Sequence, residues 1–547
     1  MFPGGGITLS LVGKQAEQQT VDFNQLAQQV IGERTLVDTP FGKRPLVYAD
    51  YTASGRGFEP IETFIHERVL PFYANTHSES SMTGRQTGQL REQARDIIRE
   101  ALNAGPDHAV IFCGNGATAA INKLVRLLGL TAPSTAEPTV VFIGPYEHHS
   151  NELPWRESNA ELVVIPLDAE GRLDIAVLEQ KLREYQGKAR LLASFSAASN
   201  VTGLKTDTVA VSALVHRYGG RVFWDYAAAA PYMGIDVADK DAVFISPHKF
   251  LGGPGTPGLL VVRRELLCNK VPAVPGGGTV SFVAPDFHHY LEDREAREEG
   301  GTPGIVEAIR AGLVFKLQQA VGTEAIEARE EQLVRRVIER WSQHPSIRIL
   351  GNPELPRLSI VSLQIRHGER QLHYAYVVAL LNDLFGIQAR GGCSCAGPYG
   401  HSLLGIDVEA SHALDAEVQR GNQVLRPGWV RLNFNYFLDE ETLEYMLQAM
   451  EWVAEHGWRM LPHYRYRAET ATWVFRGKRS ELPVSLADFK LGAGGYEPLA
   501  ACERPLADYL AEALPIVDSL ENESEGPVIE LDAHAESLRW FYLPEAG

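Results

Sequence analysis

Lys249 stands between a hydrophobic run and a glycine-rich turn, in Ser246-Pro-His-Lys-Phe-Leu-Gly-Gly-Pro-Gly-Thr-Pro-Gly258. Asp241-Ala-Val-Phe-Ile-Ser246 before it reads as a short buried strand, and Leu259-Leu-Val-Val262 after it as the next. The lysine is therefore expected at a strand end, beside hydroxyl and imidazole groups. A lysine held there and stripped of water loses its proton readily and becomes a nucleophile toward a carbonyl. A lysine in a loop is by default a solvated surface residue, so the rest of the chain has to supply partners for it.

Other strand ends carry polar residues in the same way. Gly114-Asn-Gly-Ala-Thr118 follows the strand Val110-Ile-Phe-Cys113 and opens an apolar helix, Ala119 to Leu128. A glycine turn at a helix start presents free N–H groups and the positive end of the helix dipole, which suits a phosphate. Alone this is an ordinary strand–turn–helix connection. Thr139-Val-Val-Phe-Ile143 runs to Glu147-His-His-Ser-Asn151, Arg190 to Phe195 runs to Ala198-Ser-Asn-Val-Thr-Gly203, and Arg221-Val-Phe-Trp224 ends at Asp225. Far downstream, Gln388-Ala-Arg-Gly-Gly-Cys-Ser-Cys-Ala-Gly-Pro-Tyr-Gly-His401 brings Arg390, Cys393 and Cys395 close in sequence.

Strands alternating with helices (Glu161 to Ile165, Asp174 to Tyr185, Val209 to Tyr218 among them) argue for an α/β fold. Its sheet is mostly parallel, with helices on both faces. Ligands of such sheets bind at the carboxyl ends of the strands, and there Thr118, His148, Asn200, Asp225, Ser246, His248 and Lys249 form one rim. Upstream, Ile61 to Phe72 and Gln89 to Ala104 read as helices, with Asn75 to Thr87 irregular between them. Glu307 to Ala320 and Thr323 to Trp341 read as helices that lead to a smaller α+β domain. Its strands are expected at Ile347–Leu350, Ile360–Leu363 and Val430–Asn433, and its helices at Tyr374–Phe385 and Glu440–His456.

The expected divisions are an N-terminal arm (1–45), a large domain (46–320), a small domain carrying the cysteine loop (321–460) and an acidic C-terminal extension (461–547). From Leu499 to Gly547 there are 11 acidic and 2 basic residues, a net charge of −9 out of −18 for the whole chain. That balance speaks against a broad nucleic-acid surface. Trp540, Phe541 and Tyr542 lead to the expectation that the extension folds over the large domain or a dimer mate. No run of about 18 apolar residues and no signal-peptide pattern is evident, so no membrane span is expected. Five cysteines, at 113, 268, 393, 395 and 502, are too scattered for a disulfide framework and are consistent with a reducing cytoplasm.

Seven stretches in this order resemble fold-type I pyridoxal-phosphate enzymes of the class V aminotransferase group, and within it the cysteine desulfurase and selenocysteine lyase branch. They are Asn115–Asn122, Glu147–Trp155, Ser199–Gly203, Asp225, Ser246–Lys249, Gly300–Gly304 and Arg390–Cys395. The likeness runs from about Val47 to Met450. It implies that Lys249 holds pyridoxal 5'-phosphate as a Schiff base and shuttles protons. It implies that Asp225 pairs with the ring nitrogen, that His148 stacks on the ring and that Asn200 lies near the ring edge or the substrate carboxylate. Ala117, Thr118, Ser246 and His248 would cradle the phosphate, and Thr302 would reach the phosphate of a neighbouring subunit, which implies a homodimer. Arg390 would bind the substrate carboxylate by its bidentate fork. Cys395 would take sulfur from L-cysteine as a persulfide, releasing alanine, for onward transfer to an acceptor protein.

Cys393 could resolve Cys395, or bind a metal with His401; no second Cys or His pair of suitable spacing is nearby, so no metal is expected. Where the family has glutamine, in Asp-x-Ala-Gln, this chain has Ala228. Two other readings are a C–S lyase or another class V reaction that does not use Cys395, and a cofactor-binding scaffold without turnover.

Overall fold

The structure, a computed structural model, describes residues 22–76, 79–131, 138–477, 482–492, 496–520 and 529–544. Seven strands form the main sheet: β1 His108–Cys113, β2 Thr139–Ile143, β3 Glu161–Val164, β4 Arg190–Ser196, β5 Arg221–Asp225, β6 Ala242–Ile245 and β7 Gly258–Arg263. Their spatial order is β1-β7-β6-β5-β4-β2-β3. β2 to β6 run parallel, and β7 is antiparallel to both β6 and β1. β1 therefore points the same way as β2 to β6, and five polar turns leave from one edge. Period-2 alternation divides the strand side chains between two cores. Val110, Phe112, Val140 and Phe142 enter the larger one; Ala109, Ile111, Val141 and Ile143 enter the other, beneath the helix α1 Gly116–Leu127.

The helices α2 Ile305–Val321 and α3 Thr323–Trp341 lead to an antiparallel sheet of β8 Ile347–Ile349, β9 Ile360–His367, β10 Arg390–Gly392 and β11 Trp429–Asn433, in the order β8-β9-β11-β10. The helices α4 Tyr374–Phe385 and α5 Glu440–Met460 share its core. No helix among the described residues is long and apolar enough to cross a membrane.

Several elements differ from the expectations. The irregular stretch before Gln89 is already helical from Met82, because Ser81 caps it by accepting from the Gly84 N–H, and the helix ends at Ala101. Val47–Tyr48 forms a short strand that pairs in parallel with Ile387–Gln388, so this stretch joins the small-domain core rather than the large domain. Helices Gly397–Leu404 and Val408–Gln419, unforeseen, follow the cysteine loop. Part of the expected arm (1–21) lies outside the described residues; Phe23–Gln28 is its helix.

The described residues of the C-terminal extension complete the small-domain core, rather than folding over the large domain. A hairpin (Tyr464–Arg467 with Thr472–Phe475) and the helix α6 Leu506–Leu520 bring Trp473, Tyr509 and Val517 into that core, and Phe541 joins them from the last described segment. Phe541 bridges to Gln371 in parallel. The reason is burial: these large apolar groups are driven from water onto the uncovered faces of α4 and α5.

Candidate active site

The carboxyl-end rim opens into a cavity of about 550 Å³ between the two domains. Ala117, Thr118, His148, Asn200, Asp225, Ser246, His248, Lys249, Arg390 and Cys395 all line it. Ten of the expected site residues thus share one space, although they span the chain from 117 to 395. Thr302 does not line this cavity; it is exposed on the loop before α2.

The floor is built by β5, β6 and α1. Asp225 ends β5 and is buried, with Oδ1 accepting the Ala227 N–H at 2.8 Å. Desolvation raises its pKa, while that hydrogen bond and nearby Lys249 oppose the shift. After β6, Pro247–Lys249 make one 3-10 turn, which aims Lys249 into the cavity. Desolvation lowers the Lys249 pKa from 10.5 to about 8, although Asp225 favours its charge. A fall of that size disfavours the ammonium by on the order of 3 kcal/mol.

Asn115 precedes α1 without a side-chain cap, so the first-turn N–H groups face the cavity. One is claimed: Ser246 Oγ accepts from the Ala117 N–H at 2.9 Å. Gly116 has φ +58, and a Cβ there would lie 2.9 Å from Ser246 Oγ, so only glycine brings α1 this close to the turn. Thr118 Oγ1 meets Ser150 Oγ at 2.7 Å, and His248 Nδ1 meets Ser54 Oγ at 3.4 Å.

His148 caps its helix by accepting the Ser150 N–H on Nδ1. Its neutral ring therefore carries the proton on Nε2. Desolvation first, then Lys249, pushes its pKa down to about 3; desolvation takes His248 to about 4. Both rings are neutral at physiological pH. Below them Glu147 is buried and accepts from the Ser196 N–H and hydroxyl and from Asn151. These bonds tie the ends of β2 and β4 together. Ala228 lines the cavity where the family places glutamine and presents no polar side-chain atom.

The opposite wall comes from the small domain. β10 and β11 place Arg390 directly across from Arg431, and both reach Asp50: Arg431 to Oδ1 at 2.7 Å, Arg390 to Oδ2 at 3.4 Å. Arg431 also donates to the Asn200 carbonyl at 3.0 Å and is buried; Arg390 is exposed. Asn200 donates its amide to the Ser394 carbonyl at 2.7 Å, so it clamps the cysteine loop as well as lining the cavity. The His149 N–H donates to the Cys395 carbonyl at 2.8 Å, and His149 Nε2 accepts from the Gly397 N–H. Cys395 is exposed in the cavity; Cys393 is half-buried and packs beside Tyr399 and Trp429.

The sequence reading missed Arg431 and Asp50. Arg431 was passed over as part of a strand, yet a charge inside Trp429-Val-Arg-Leu-Asn433 is itself a signal, since a buried charge needs a partner. Asp50 gave only the weaker sign of an acid ending an apolar stretch.

A family model described as aminotransferase class-V matches residues 47–443. A probable cysteine desulfurase of Staphylococcus aureus is 28% identical over 376 residues, covering 68% of this chain and 88% of the relative. A cysteine desulfurase of Synechococcus elongatus is 30% identical over 360 residues, covering 63% of this chain and 53% of the relative. Among solved structures, the apo cysteine desulfurase of Thermococcus onnurineus superposes with a TM-score of 0.64 at 26% identity, over 75% of this chain and 95% of that one. An Escherichia coli cysteine desulfurase gives 0.63 at 22% identity, over 80% and 99%, a likeness of fold.

Proposed function

The chain belongs to the aminotransferase class-V family of pyridoxal-phosphate enzymes and resembles cysteine desulfurases, and from that premise we propose that it moves sulfur from L-cysteine onto Cys395 and releases alanine. The observation that carries the reading is a desolvated amine, Lys249, beside a buried carboxylate, Asp225, in a cavity that also admits an exposed thiol.

The donor set suits the cofactor. The uncapped start of α1 with Thr118, Ser246 and His248 would hold the phosphate. Among the described residues no side-chain or backbone group donates to the second carboxylate oxygen of Asp225, which leaves it available for a protonated ring nitrogen. The neutral face of His148 would lie against the ring, and Lys249 would bond the aldehyde. Bound there, the cofactor supplies an electron sink that makes the substrate's α-proton and β-substituent labile.

The chain's own residues do the rest. Lys249, with a pKa near 8, is the cavity amine suited to take and return the substrate's α-proton. The two arginines share one Asp50 carboxylate, which leaves net positive charge for the substrate carboxylate. Arg390, exposed and loosely paired, is the one free to turn toward it, while Arg431 stays anchored. Cys395, as thiolate, attacks the substrate sulfur. The S–S bond forms as the substrate's C–S bond breaks, and the freed carbon takes a proton to become the methyl group of alanine. Exposure of Cys395 leaves the persulfide open to an acceptor protein. Thr302, exposed outside its own chain's cavity, would complete the phosphate site of a second copy in a homodimer.

Product analysis tests the reading: L-cysteine and a panel of amino acids, with wild type and Cys395→Ser. Alanine formation from cysteine that is lost in Cys395→Ser supports it. Full turnover by Cys395→Ser, with pyruvate as product, replaces it with a lyase reaction.

A further inference from the structure

The family match ends at residue 443, yet the chain beyond it reaches the strand that carries Arg390. Trp540 lies parallel to the Tyr374 ring, 6.1 Å between centroids at 9°, and to His373 at 5.2 Å and 21°. Its indole N–H donates to the Leu425 carbonyl at 2.9 Å, and Phe541 beside it is buried. Trp473, also in the extension, donates to His373 Nδ1 at 3.1 Å. The Tyr374 ring also lies against two glycines. A Cβ on Gly391 would lie 2.9 Å from its Cδ2, and one on Gly428 2.7 Å from its Cε1. Gly391 is the middle residue of β10, between Arg390 and the glycine before Cys393. Successive residues of a strand face opposite ways, so Arg390 points to the cavity and Gly391 to Tyr374.

We propose that Trp540 is a positioning residue for Arg390 and the cysteine loop, acting through Tyr374 as a plate behind β10. The proposal rests on the desulfurase reading for its substrate. The aromatic stack presses on a strand without side-chain bulk of its own at Gly391, and the loop after β10 turns through left-handed backbone at Ser394 (φ +51) and Cys395 (φ +55). Such a segment takes its position from what backs it. Lys249, Asp225 and the α1 turn stand on the other domain and do not depend on Trp540.

The test uses full-length holoenzyme carrying Trp540→Ala, with Trp540→Phe as the conservative variant. In Trp540→Ala, kcat/KM for L-cysteine is expected to fall about tenfold or more, chiefly through KM, because small misplacements of a binding group are costly. Cofactor affinity and visible absorbance stay as in wild type, and Trp540→Phe recovers most of the loss. Gly391→Ala, whose Cβ would meet the Tyr374 ring at 2.9 Å, is expected to reproduce the KM effect and supplies the test if Trp540→Ala does not fold. The rate at which iodoacetamide alkylates Cys395 shifts in both variants and needs no turnover. It still reads the proposal if wild type proves inactive on cysteine, the outcome that instead sinks the desulfurase reading. A lower melting temperature with unchanged KM and unchanged Cys395 alkylation in the folded variants overturns the proposal.

Discussion

On the large-domain side of the cavity, Lys249, Asp225 and His148 sit at the ends of parallel strands, within a few residues of β-structure buried on both faces. On the small-domain side, Arg390 and Cys395 are exposed, and Ser394 and Cys395 take left-handed backbone. The first wall is set by its own sheet. The second is set by partners distant in sequence: Asn200 on the Ser394 carbonyl, His149 on Cys395 and Gly397, and the aromatic stack of the C-terminal extension. Burial shifts pKa values strongly on the first wall, where Lys249 falls to about 8 and His148 to about 3. Chemistry that needs a tuned proton is placed at the ends of buried strands. Chemistry that must hand a product outward is placed on a loop held from behind.

Substitutions on the two walls should therefore fail differently. The largest effect is expected from Lys249→Ala, which loses at least about 10³-fold in turnover while circular dichroism stays that of the folded chain. Next is Arg431→Lys. It gives up the fork shared between Asp50 and the Asn200 carbonyl, so KM for cysteine should rise about tenfold or more and stability fall by roughly 2 kcal/mol. Arg390→Lys, exposed and held at 3.4 Å, should raise KM with no change in melting temperature. Equal stability losses at the two arginines would erase the distinction between them.

A smaller effect follows from Lys249 titration. Its folded pKa of about 8 lies below the ordinary 10.5, so the unfolded chain holds this proton over a range where the folded chain has released it. The penalty on the folded apo chain is full below pH 8 and is relieved as pH rises toward 10.5. Capture of added cofactor by the apo chain should accelerate as pH rises through about 8, because the neutral amine is the nucleophile. His148, neutral down to about 3, should add no inflection near 6.5. Stopped-flow absorbance across pH 6 to 10 reads both points; a capture rate flat through pH 8 would contradict the shift.

How far the sequence led follows the same division. The β–α alternation and its polar strand ends were legible because each strand end lies next to its functional residue in the chain. That brought Lys249, Asp225, His148, Asn200 and Ser246 to one rim. Cys395 and Arg390 were legible only through their resemblance to a family pattern, since the Gly-Gly-Cys loop has no local period. Arg431 and Asp50 stayed hidden because their pairing joins residues at opposite ends of the chain across β11. The packing of the extension on α4 and α5 was not legible because Trp540 and Phe541 show that something is buried, not against what.

Transfer of sulfur to Cys395 can be read by mass spectrometry of the Cys395 peptide, after brief incubation of holoenzyme with L-cysteine and trapping with iodoacetamide. One added sulfur on Cys395 is expected, with alanine formed in step and neither seen in Cys395→Ser. Alanine accumulating at the wild-type rate in Cys395→Ser, with no sulfur added to Cys395 in wild type, would contradict that transfer.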